Sequence, residues 1–185
     1  MHSIWTIYVR AFTTLVLLLA SASAFAWPCD FLTGGGFIVR DTGFKGNFGV
    51  GGGCKHGSPT WGHLEYIDHG LGLNVHWTSI TSYREVDTST DSKGRLIGAR
   101  FICGTARTNL FGDVDWVVLA RDRGEPGRDD EFIIRLKKLG MTVYTSEHDS
   151  NHTLGGSGSG GGNIQLHKPN PSTTGGFGGS CPALD

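Results

Sequence analysis

Four carboxylates fall within nine residues of this chain. Asp122, Glu125, Asp129 and Asp130 sit in the run Asp122-Arg123-Gly124-Glu125-Pro126-Gly127-Arg128-Asp129-Asp130. Hard oxygen donors on a tight loop are the chemistry of calcium, so this run is a candidate calcium site. It lacks the spacing of an EF-hand, and its two arginines compete for the carboxylates. Pro126 and Gly127 also fit a plain hairpin turn between apolar strands. A second set is His63, His69 and His76 with Glu65. Imidazoles and a carboxylate could ligate zinc or copper, although no HxH or HExxH spacing supports it. A third feature is aromatic. Trp61, beside Pro59 and Gly62, is the tryptophan expected at the surface, where a flat ring stacks on sugars. Trp61, His63, Glu65 and His76 are therefore the ligand-binding candidates. No serine lies in a GxSxG elbow. Glu65, Asp68 and Glu125 could supply a glycosidase's paired acids, whose separation a sequence does not reveal. No catalytic residues are assigned, and the chain is expected not to be an enzyme.

The cysteines place this chemistry in a compartment. There are four: Cys29, Cys54, Cys103 and Cys181. An even count in an exported chain reads as two disulfides. Of the three pairings, Cys29–Cys181 tying the chain ends and Cys54–Cys103 bridging mid-chain strands is the favoured expectation. No CxxC pair points to zinc.

Residues 1–26 have the parts of a cleavable signal peptide. Arg10 precedes an apolar run containing Leu15, Val16, Leu17, Leu18 and Leu19, and Ala24-Phe25-Ala26 is an A-x-A cleavage site. The run is short of the ~20 residues that span a bilayer. Trp27-Pro28 before Cys29 argues against a lipid anchor. The expected product is a secreted chain in the periplasm or outside the cell, with no stable membrane insertion. Without Arg10 its charged residues are 15 basic and 17 acidic. That balance gives no electrostatic reason to expect a nucleic-acid partner. An extracellular protein or glycan is the expected partner, with no cofactor beyond the calcium already considered.

The elements that must position these groups read as strands. All 30 glycines lie after residue 26, a density that disfavours helix and suits turns and bulges. Alternation recurs in short segments. Leu64 and Tyr66 oppose His63, Glu65 and Ile67. After the turn Asp68-His69-Gly70, Leu71, Leu73, Val75 and Trp77 oppose Asn74, His76 and Thr78, which predicts a hairpin with one buried face. Ile97, Ala99, Phe101 and Cys103 share a parity, and 113–122 is apolar on both faces. Residues 87–94 read as a polar loop, and Lys137-Lys138-Leu139 as a possible helical turn. About nine or ten short strands predict an all-β fold, an antiparallel β-sandwich or flattened barrel over 27–168. An irregular tail follows over 169–185, pinned if Cys181 is bonded.

Several short motifs occur in order: Thr33-Gly34-Gly35-Gly36-Phe37-Ile38, Gly46-Asn47-Phe48-Gly49, Gly62-His63-Leu64-Glu65-Tyr66-Ile67-Asp68, Asp122-Arg123-Gly124-Glu125-Pro126-Gly127 with Asp130-Glu131-Phe132, and Gly161-Gly162-Asn163-Ile164-Gln165-Leu166-His167-Lys168. The set resembles a bacterial extracellular β domain found downstream of choice-of-anchor A modules. The resemblance implies a secreted β module that accompanies adhesion or anchoring regions, with no established catalytic residues. The expected function is thus a non-catalytic module for surface, matrix or partner contact. The alternatives are a glycan- or calcium-binding module and a secreted hydrolase.

Overall fold

A computed structural model describes residues 28–58, 61–156 and 160–184. The expected signal peptide lies outside the described residues. The fold is all-β. Ten strands belong to one strongly curled, half-barrel antiparallel sheet. They are β1 (Phe31–Val39), β2 (Lys45–Gly53), β3 (Trp61–Asp68), β4 (Leu73–Thr90), β5 (Leu96–Thr108), β6 (Gly112–Asp122), β7 (Glu131–Lys138), β8 (Met141–Thr145), β9 (Gly162–His167) and β10 (Gly178–Gly179). Strands β1 to β8 form a meander. β9 returns to the free side of β1, and β10 pairs with β4.

The alternation in the sequence sets which face turns inward. Leu32, Ile38, Phe48, Val50, Leu64, Tyr66, Val75, Ile102, Trp116, Val118, Ile134 and Ile164 line the concave side and are buried. The curl brings β2 opposite β7, where Phe48 and Phe132 stack with ring centroids 3.9 Å apart. Bulges in β4 at Trp77/Ser79, Ile80/Ser82 and Glu85/Asp87 bend the sheet, as an extra unpaired residue does. Glycine is required where the walls come closest. A Cβ on Gly104 would lie 2.0 Å from the Ser79 carbonyl oxygen and 2.8 Å from the Trp116 ring.

The β3–β4 hairpin forms as predicted, with Glu65 opposite His76. Leu71, expected on its buried face, lies in the turn and is 53% exposed. Residues 87–90 extend β4, so the polar loop is shorter than the sequence suggests. Lys137 and Lys138 belong to β7, and Leu139-Gly140 is a hairpin turn, not a helical one.

The disulfides are Cys29–Cys54 and Cys103–Cys181, a correction to the expected pairing. The reason is the face each cysteine occupies. Phe31 pairs with Gly53 at the open end of the β1–β2 hairpin, so Cys29 and Cys54 come together with Cα atoms 5.8 Å apart. Cys54 continues the inward parity of β2, whereas Cys103 points outward from β5. Thiols on opposite faces of a sheet do not meet. The C-terminal tail instead runs back over the outer face, where Cys181 and Ala183 bury Cys103 and Val117. Two disulfides suit an oxidising, extracytoplasmic environment. Among the described residues, no helix is long and apolar enough to cross a membrane.

Candidate ligand-binding face

The tail covers the outside of β5 and β6. Among the described residues nothing similar covers the outside of β9, β1, β2 and β3, and the outward positions of these strands form rows across it. Phe31 pairs with His167 and Gly53, and Gly53 with Trp61. The next row joins Gln165, Thr33, Gly51 and His63. The third joins Asn163, Gly35, Gly49 and Glu65, and β4 extends it to His76. The fourth joins Phe37, Asn47 and Ile67. All four ligand candidates from the sequence therefore share this face. His63 and Glu65 are exposed, and His76 Nδ1 lies 2.5 Å from Glu65 Oε1.

Trp61 is half-buried and meets the edge of Phe31 at 6.0 Å. Lys55 Nζ lies 4.3 Å from the centroid of the Trp61 ring and 4.0 Å from that of Phe31. His167 stacks on Phe31 at 4.4 Å and meets Thr33 Oγ1 through Nε2 at 2.8 Å. At the opposite end, Lys45 Nζ lies 4.0 Å from the Phe37 centroid. Reading the sequence missed Phe31, Phe37, Lys45, Lys55 and His167. The outward parity of β1 and β2 was the available signal, but their glycine runs obscure it.

Between the two aromatic ends, Gly35 and Gly49 are cross-strand partners. Neither takes a left-handed conformation. A Cβ on Gly49 would meet nothing within 4 Å, and one on Gly35 only the Phe48 carbonyl oxygen at 3.5 Å. Packing requires glycine at neither position. Beside them, over Gly49, lies an open hollow of about 360 Å³ bordered by Phe37, Asn47, Glu65 and Ile67.

The acidic run is dispersed. Asp129 is exposed, and Glu125 accepts a bond from Asn163 Nδ2 at 3.3 Å. Asp122 and Asp130 turn inward and are buried. Asp122 accepts the amide N–H groups of Gly124 and Leu166 at 2.7 and 2.8 Å. Asp130 accepts those of Arg123 and Ile164 at 2.8 and 2.7 Å. Ile164 and Leu166 are the β9 residues whose N–H groups face away from β1. The two carboxylates thus close the seam of the curled sheet where no strand ladder does. Among the described residues, no three His, Cys, Asp or Glu are grouped to hold a metal ion. A cleft of about 190 Å³ beside the seam is lined by Asp122, Glu125, Arg95 and His167.

Burial pushes the Asp130 carboxyl up to about 6. Its two amide bonds pull the other way, and the charges of Asp122 and Glu125 add to the rise. Asp122 is raised too, by burial first. A raised acid binds its proton more tightly in the folded state, so its contribution to stability falls as pH rises from about 4 to 6. Asp130→Asn is expected to lack this component, so the gap between wild-type and variant melting temperatures should widen as pH falls from 7 to 4. The variant also turns an amide donor toward one backbone N–H, costing about 1–3 kcal/mol. Parallel melting profiles across that range would refute this account.

A second polar cluster closes one end of the curl. Tyr144 donates to Asp68 at 2.7 Å and shares a 2.6 Å bond with Tyr66, while Arg40 pairs with Asp68 and Asp149. Burial alone would raise Asp68, but the bonds from Tyr144, Leu71 and Gly70 and the charge of Arg40 hold it below the usual carboxylate range. These groups satisfy one another and lock hairpin tips together. In comparisons with known proteins, no family model, no curated protein and no solved structure matched this chain.

Proposed function

We propose that this is a secreted, non-catalytic binding module whose working surface is the outer face of β9, β1, β2 and β3. One observation carries the reading. Gly35 and Gly49 face each other on that surface with no packing need for glycine, flanked by outward rings and hydrogen-bonding side chains. A bare strip held open between polar walls suits a bound chain better than it suits the fold. Export follows from the leader read at residues 1–26 and accords with the disulfides. The resemblance to the domain accompanying choice-of-anchor A modules points the same way, toward contact with a surface or matrix.

A hydrolytic reading draws on the buried Asp122 and Asp130 beside a cleft. Both oxygens of each acid already accept a backbone N–H. This favours a structural task for them over proton transfer to a substrate.

The test fills the hollow. Gly49→Trp fits without backbone strain because its Cβ meets open space. On an array of glycans and immobilised peptidoglycan, wild type should bind at least one class. Gly49→Trp should lose about tenfold or more in affinity, equivalent to ~1.4 kcal/mol, with an unchanged melting temperature. Binding that survives the substitution would move the working surface elsewhere. Ligand cleaved during the assay would overturn the non-catalytic reading.

A further inference from the structure

We infer that the ligand of this face is a linear polysaccharide bearing carboxylate groups, laid along β1 and β2 between Lys45 and Lys55. The inference rests on the proposed binding face and adds the chemistry of its occupant. From Phe31 to Phe37 the face follows one strand for about 20 Å, at ~3.3 Å per residue. From β9 to β3 it spans three strand spacings, about 14 Å. These dimensions suit an extended polymer a few sugar rings long.

The two ends decide the charge of that polymer. A neutral sugar usually docks by stacking on a free ring face. Here Lys55 lies over both Phe31 and Trp61, and Lys45 lies over Phe37. The rings hold the ammonium groups in place through cation–π attraction. Each lysine is thus partly ordered before ligand arrives, which reduces the rotamer entropy lost on binding. Glu65 is the acid in the rows between them, and His76 engages it. The chain's formal net charge is −1, so two lysines flanking a mostly uncharged face are a local feature. Asn47, His63 and Gln165 supply donors and acceptors for hydroxyl groups. The bare floor at Gly35 and Gly49 lets a sugar ring approach the sheet.

A single-stranded nucleic acid is also an anionic polymer. It needs free rings for its bases and basic side chains at each phosphate. This face covers its rings and has lysines only at its ends, so the acidic polysaccharide is favoured.

Affinity electrophoresis through gels containing polygalacturonate, alginate or neutral dextran tests the inference. Wild type should be retarded by an acidic polymer and not by dextran, with the effect fading between 50 and 500 mM salt as screening grows. Lys45→Gln and Lys55→Gln should each weaken retardation about fivefold, the value of an exposed ion pair near 1 kcal/mol. Lys45 is exposed and Lys55 half-buried, and a melting curve confirms that each variant is folded. Equal retardation by dextran, retardation indifferent to both lysine substitutions, or equal affinity for single-stranded DNA would each overturn the inference. So would the absence of retardation by every polymer. Gly49→Trp separates the two levels. If it abolishes binding that dextran shares, the face stands and the acidic ligand falls. If binding to the acidic polymers survives it, the face itself is wrong.

Discussion

Arg100→Met is expected to lower the unfolding free energy by about 3–5 kcal/mol, the cost of stranding a buried charge. Arg100 and Asp30 are both 0% exposed, and they pair at 2.6 Å. All five guanidinium N–H groups are used. Nε and Nη2 bond Asp30 at 3.2 and 2.6 Å, Nη1 bonds the carbonyl oxygens of Asp87 and Ala99 at 2.7 and 2.8 Å, and Nη2 bonds Thr88 Oγ1 at 2.8 Å. Tyr83 donates to Asp30 at 2.6 Å. Burial alone would lower the Arg100 value, but its bonds to Asp30 more than offset this and hold the charge in place. The methionine leaves Asp30 charged, with the Tyr83 hydroxyl as its remaining side-chain donor among the described residues. Urea denaturation reads the loss directly. In Asp30→Ala/Arg100→Met the stranded charge is gone, and its loss should be smaller than that of Arg100→Met alone. A single-variant loss below about 1 kcal/mol would show that water reaches the pair after all.

This ion pair also shows where sequence reading stops. The shared parity of Ile97, Ala99, Phe101 and Cys103 is legible in the sequence, and it is the outward one. The inward positions of β5 include Gly98, Arg100 and Gly104, which no apolar side chain marks as core. An arginine becomes a core residue only because Asp30, 70 positions earlier, is delivered to it by the start of β1. Pairing at that range depends on how the sheet curls, and the bulges in β4 that bend it leave no periodic trace. The β3–β4 hairpin was legible because its partners are local and one face is wet, so Leu64 and Tyr66 separate cleanly from His63 and Glu65. The proposed binding face is half legible for the same reason. The β3 side carries the candidates Trp61, His63 and Glu65, whereas the β1 and β2 side lies among glycines that show no alternation. The acidic run shows a different limit. Composition cannot distinguish a solvated carboxylate such as Asp129 from one such as Asp130 that caps the edge of β9.

Removing the tail's anchor is the other large expected effect. Cys103→Ser/Cys181→Ser should cost about 4 kcal/mol if the disulfide acts by restricting the unfolded chain, since it closes a loop of 78 residues. Cys29→Ser/Cys54→Ser opens a loop of 25 residues and should cost about 1 kcal/mol less on the same account. A larger loss from the shorter loop would sink the entropic explanation. The tail also has contacts of its own. β10 pairs with Tyr83 and Ser82, Ser82 Oγ donates to the Gly178 carbonyl at 2.7 Å, and Arg84 donates to that of Gly179 at 2.9 Å. Phe177 stacks on Tyr83 at 5.7 Å and lies 5.3 Å from the Arg100 guanidinium carbon. If the bond's effect runs through the folded state, losing it loosens Phe177 and wets the Arg100–Asp30 pair. Phe177→Ala separates the alternatives in a double-mutant cycle with the cysteine pair. Purely unfolded-state action makes the two losses add. A coupling above about 1 kcal/mol would mean that Cys181 stabilises the molecule by holding a cover over its buried charges.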